Sequence, residues 1–244
     1  MDFRIKCREF VYCLFFWLDH VLVKRVGYGL MGFYGESQIE EFQKSSFSSP
    51  SEIVMNDLGH LASGTIILFL LKIFFGDDIS GIDWLEQIEE HLVHEVGEVE
   101  HGDTPNNGTV DRERKEQREF ETAKSLFRHF PQPERDEQMS LYLRNLEGKD
   151  FCKMVDRACF VWGIGWMNYH GINGNMDVVP GKGVGTDSKM AKLAQSDDPF
   201  PAMFVEFLIF SRNFQYREIF IGITEAMYQK IYHTDVPHHI KKLY

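Results

Sequence analysis

Residues His91 to Asp103 read His-Leu-Val-His-Glu-Val-Gly-Glu-Val-Glu-His-Gly-Asp, so three histidines and four carboxylates fall within thirteen residues. Imidazole and carboxylate groups bind metals and move protons. Holding so many beside a core is costly unless something compensates them, and a metal ion does so economically. At about 100° per residue, Leu85, Ile88, Leu92, Val96 and Val99 fall in one helical stripe. His91, His94, Glu95 and Glu98 fall in a second arc beside it. The pattern predicts a helix over 83–101 that buries the apolar stripe and carries His94 and Glu95 at the edge of the core. The alternative reading is a solvated polar face with chance histidines.

Two further residues bear on that choice. His60 stands in Asp-Leu-Gly-His-Leu, at the start of a strongly apolar helix expected over 56–75. A lone histidine there is ordinarily a satisfied core residue. Asp156, in Lys-Met-Val-Asp-Arg, has Cys152, Cys159 and Phe160 as helical neighbours, which turns it toward the apolar side. Lys153 or Arg157 offers it an alternative partner.

The order of these residues, His60, then His94-Glu95, then Asp156, resembles the ligand order of the HD-domain metal-dependent phosphohydrolases. The bacterial 5′-deoxynucleotidase branch is the most similar. Its second motif, His-Asp-x-x-Glu followed by Gly-Asp, is matched in spacing by His94-Glu95-Val96-Gly97-Glu98 and Gly102-Asp103. The segment Pro50-Ser51-Glu52-Ile53-Val54 is similar to the family's approach to its first histidine. The likeness covers roughly 50–165. It implies that His60, His94, Glu95 and Asp156 hold a divalent metal (Mn, Co, Mg, Fe, Ni or Zn), with Glu98 and Asp103 handling water or substrate. Glu95 stands where the family has aspartate, and its extra methylene bears on activity more than on fold. The implied function is hydrolysis of a small phosphomonoester, most plausibly a nucleoside 5′-monophosphate. A catalytically weak metal- or nucleotide-binding regulatory module is the alternative. His91 and His101 match no ligand position and are expected on the surface or just behind the ligands.

Rival metal motifs fail on spacing. A zincin needs His-Glu-x-x-His, but position 98 is glutamate; an inverted His-x-x-Glu-His has the wrong order here. Only Glu98 to His101 offers a Glu-x-x-His, where a ferritin-like site needs two. Near Gly181, Gly-Lys-Gly-Val-Gly-Thr lacks a P-loop ending. It reads as a flexible loop, with Lys182 a remote phosphate candidate beside Arg112, Arg114 and Lys115.

The elements that must position these residues are helical throughout. A helix over 3–26 is expected to dock on the bundle or a partner subunit, because its apolar run, Phe10 to Leu18, is about half of a membrane span. Further helices are expected over 110–130, 134–146, 149–169, 202–212 and 216–232. In the 110–130 helix Phe120, Ala123, Leu126 and Phe127 form the apolar face, and Glu147 lies near the end of the next one. A long loop spans 171–201. The expectation is a single all-α domain over 1–244, an HD-like helical bundle with extra terminal helices around a metal-site core at 50–165. A net charge of −11 argues against a nucleic-acid surface but not against a small phosphorylated metabolite. Four cysteines without Cys-x-x-Cys spacing suit a reducing cytoplasm. A homodimer is compatible with the sequence, and no membrane partner is expected.

Overall fold

The computed structural model describes residues 1–30, 57–98, 112–147, 151–170, 198 and 200–243. Among these the secondary structure is helical, with no strand, as an all-α bundle requires. Helix α1 (Phe3–Leu30) starts where Asp2 Oδ1 accepts the Arg4 and Ile5 amides, an N-terminal cap, and it outruns the expected end at 26. Cys7, Phe10, Val11, Leu14 and Leu18 recur at helical spacing and are buried. That face packs on α2 (Asp57–Phe75) and on α8 (Arg217–Tyr232).

Helix α6 (Phe151–Tyr169) runs through the middle and touches α2, α3 (Trp84–Val93), α7 (Phe200–Phe210) and α8. Its residues Val155, Ala158 and Trp162 are fully buried. The Trp162 ring stacks on Phe220 at 5.8 Å, and its Nε1–H donates to Thr224 Oγ1 at 2.9 Å, so the indole is both packed and satisfied. A second, smaller core gathers Val93, Ala123, Phe127, Leu141 and Tyr142 from α3, α4 (Arg112–Phe127) and α5 (Glu134–Glu147). The fold closes with a short α9 (His238–Lys241), which the sequence pattern did not suggest.

Helix α3 corrects the sequence reading twice. It is capped by Asp83, whose Oδ1 accepts from the Leu85 and Glu86 amides, and the preceding turn uses Gly81 at φ +77°. The α-helix stops at Val93 and His94–Glu98 continue as a 3-10 turn, while 99–101 lie outside the described residues. The buried side is also different. Leu85 and Leu92 are 65% and 49% exposed, whereas Gln87, Glu90 and His91 are buried. Apolar periodicity assumes that the polar side goes to water. Here α5 supplies a partner to that side: Arg144 reaches Glu86 at 2.8 Å and Glu90 at 3.5 Å. In α4, Ala123 and Phe127 are buried as expected, but Leu126 is exposed and Thr122 is buried.

Candidate metal centre

Helices α2 and α6 belong to the larger core, while Val93 and the 3-10 turn after it border the smaller one. Side chains from these elements meet at the seam. His60 of α2 and Asp156 of α6 approach to 3.0 Å (Nε2 to Oδ1), and His94 Nε2 lies 2.8 Å from Glu95 Oε1. Across the pairs, the two Nε2 atoms are 3.3 Å apart, His60 to Glu95 is 3.6 Å and His94 to Asp156 is 3.9 Å. One ligand atom from each of His60, His94, Glu95 and Asp156 lies within 4.8 Å of all the others. The sequence-predicted ligand set thus comes together from three separate elements.

Local structure explains how Glu95 reaches the cluster. A 3-10 turn advances about 120° per residue instead of 100°, which swings Glu95 relative to His94. The turn packs on α4 and α5 through Gly97, where a Cβ would meet Tyr142 Oη at 2.4 Å and the Glu119 carbonyl oxygen at 2.9 Å. The longer side chain is therefore accommodated by backbone, not excluded. Cys159 adds a fastening, its thiol directed at the His60 carbonyl oxygen at 3.7 Å, which ties α6 to α2 beside the cluster.

The donor chemistry fits a cation. His94 Nδ1 bonds the His91 carbonyl oxygen, which can only accept, so Nδ1 carries the hydrogen and Nε2 is left for the cluster. Two imidazole nitrogens facing each other and two carboxylates at these distances need positive charge between them. Donors about 2.0–2.2 Å from one centre are spaced about 3–4 Å from each other, and the five separations of 2.8–3.9 Å involving the two imidazoles lie close to that range. Lys153 takes the other carboxylate oxygen of Asp156 at 2.8 Å, so the alternative partner named from sequence and the ligand role are both accommodated. Arg157 instead lies over Phe210.

Electrostatics reflect the crowding. Burial opposes charge on His60, yet its hydrogen bond to Asp156, aided by Cys159, lifts the imidazole to about 11. Burial also opposes ionisation of Asp156, but the His60 hydrogen bond and the Lys153 charge hold its carboxyl well below the usual range. Glu95 is lowered as well, its own burial being outweighed by the bond to His94. His91 goes the other way, pushed down to about 3 by burial and by His94 and His60.

Other expectations fare differently. His91, expected on the surface or just behind the ligands, is wholly buried against them, with ring centroids 4.6 Å from His94 and 5.7 Å from His60. Periodicity places it in the arc beside the apolar stripe, at the edge of the core, and does not mark it for full burial. Glu98 ends the 3-10 turn, while Asp103, His101 and Lys182 lie outside the described residues, as does the loop at 171–197. Arg112 opens α4, Arg114 is exposed and Lys115 pairs with Glu119 at 3.3 Å. A groove of about 860 Å³ between α1 and α8, lined by Cys7, Tyr12, Glu225 and Lys230 among others, contains none of the four converging residues. No disulfide joins the four cysteines. No helix among the described residues is long and apolar enough to cross a membrane.

Residues 56–158 match the family model described as HD domain. The stretch, under half of the chain, includes all four converging side chains, so the likeness to HD domains and the candidate metal site fall on the same residues. Metal-dependent hydrolysis is the class of activity that this supports. No curated protein and no solved structure matches the chain.

Proposed function

We propose that the protein hydrolyses a small phosphomonoester, a nucleoside 5′-monophosphate being the leading candidate, at a divalent metal held by His60, His94, Glu95 and Asp156. The observation that carries this reading is the convergence of those four donors within the HD-domain stretch. A divalent ion there supplies Lewis acidity toward a phosphoryl oxygen and makes water acidic enough to attack near neutrality. The chain's own part is to orient and move protons. In this reading Glu98 accepts the proton of the attacking water as the new P–O bond forms, and Asp103, in its protonated form, gives a proton to the ester oxygen as its bond to phosphorus breaks. Lys153 keeps Asp156 ionised and fixed at its outer oxygen. The nucleotide preference rests on the sequence likeness to the 5′-deoxynucleotidase branch.

Purified protein, its metal identified, is to be screened against phosphomonoesters with Mn²⁺, Co²⁺, Mg²⁺ and Zn²⁺. Phosphate release with at least one metal is expected, with loss in Glu98→Gln. Absence of turnover with every metal, in the wild type and in Glu95→Asp alike, would sink the hydrolase reading and leave a metal-binding regulatory module.

A further inference from the structure

His91 is wholly buried, yet neither ring nitrogen has a hydrogen-bond partner among the described residues. Packing alone therefore fixes its ring. One side rests on α2 at Gly64, where an added Cβ would lie 2.0 Å from Nε2 and 2.2 Å from Cε1. Such an approach is possible only without a side chain. Glycine inside a helix is unfavourable relative to alanine, and at this position the space goes to the imidazole. The ring also lies against His94, tilted at 31° with the centroids 4.6 Å apart. The backbone of the same residue accepts the His94 Nδ1–H.

We propose that His91 is a positioning residue, seated in the gap at Gly64, that holds the His94 imidazole by ring and by carbonyl with Nε2 turned to the other three donors. The role rests on the reading of those donors as a metal site. The ring-mediated part distinguishes this chain from a site in which helix geometry alone orients the second histidine. It also converts Gly64, one turn beyond His60 on α2, into a determinant of metal affinity although it carries no donor.

The test measures Co²⁺ affinity by competition with a chromophoric chelator, the visible spectrum of the Co²⁺ form, and the metal-free melting temperature. Gly64→Ala and His91→Ala are expected to weaken Co²⁺ roughly 10–100-fold, the range for residues that orient ligands, and to alter the Co²⁺ spectrum. His91→Leu, an apolar side chain of similar volume that carries no donor, should stay within about threefold of wild type. The double variant Gly64→Ala/His91→Ala should bind no more weakly than His91→Ala, because the ring that the new Cβ would strike is gone. Wild-type affinity and spectrum in Gly64→Ala or His91→Ala would overturn the positioning role while leaving the metal site intact. If His91→Leu loses as much affinity as His91→Ala, filling the space is not what holds His94, and the spacer role is overturned. A wild-type chain that takes up no divalent metal would overturn the metal site itself.

Discussion

Each donor in the cluster depends on a neighbour of its own. Asp156 is shared between Lys153 and His60, His94 is held from behind by His91, and Glu95 is delivered by a change of helix type. The direct test of the ligand set is metal stoichiometry by elemental analysis: His60→Ala and Asp156→Ala should each abolish uptake, and retention in both would refute the assignment. The proton on His60 gives a second prediction. Its imidazole is raised from 6.5 to about 11 in the folded, metal-free chain, so it contributes stability that is complete below about pH 6.5 and is lost as pH climbs toward 11. Asp156 contributes in the opposite sense, its stabilisation present above its unfolded value of 3.8 and lost as pH falls through the lower folded value. Metal must displace the His60 proton, so apparent affinity should rise about tenfold per pH unit between about pH 7 and 9. Calorimetry in buffers of different ionisation enthalpy should show about one proton released per ion; a pH-independent affinity would contradict this.

The 3-10 turn His94–Glu98 is the element that makes the site possible, and its seat is narrow. A methyl group on Gly97 would collide with Tyr142 Oη and the backbone of Glu119, neither of which can withdraw cheaply. Gly97→Ala is therefore expected to cost about 1–3 kcal/mol by overpacking and to weaken metal binding, read from denaturant unfolding and metal titration together. Metal affinity unchanged at lowered stability would show that the turn tolerates displacement. Helix α3 upstream is anchored by its cap. Asp83→Ala should cost about 1 kcal/mol without changing metal stoichiometry, because the cap lies at the far end of α3 from His94.

Across the molecule, the centre joins elements that the two cores otherwise hold separately. A ligand bound only by the folded state at a hundred times its dissociation constant stabilises it by about 2.7 kcal/mol. Adding the preferred metal should raise the melting temperature and a chelator should reverse the rise; His60→Ala should show neither. The larger core has a different centre of gravity. Phe220 contacts Phe151, Trp162, Phe207 and Phe214 and is fully buried. Phe220→Ala should cost about 3–5 kcal/mol, seen as a large fall in the denaturant midpoint. Because Phe151 begins the helix that carries Asp156, that variant should also lose metal affinity.

The all-α class and the four side chains that converge were legible in the residues because helical spacing and chemical type are local properties. His60, His94, Glu95 and Asp156 could be named in order before any of them was placed. Three matters depended on tertiary contacts. Which side of α3 is buried was decided by Arg144 of α5, which pairs with Glu86 and Glu90, and by the seating of His91 against Gly64, His60 and His94, which leave Leu85 and Leu92 to solvent. The reach of Glu95 was decided by a 3-10 turn that packs through Gly97. The burial of His91 was decided by the absence of a side chain at Gly64, twenty-seven residues earlier in the chain. Periodicity records what each residue prefers to meet; only the packed bundle determines what it does meet, because a buried polar group is stable or costly according to its neighbours.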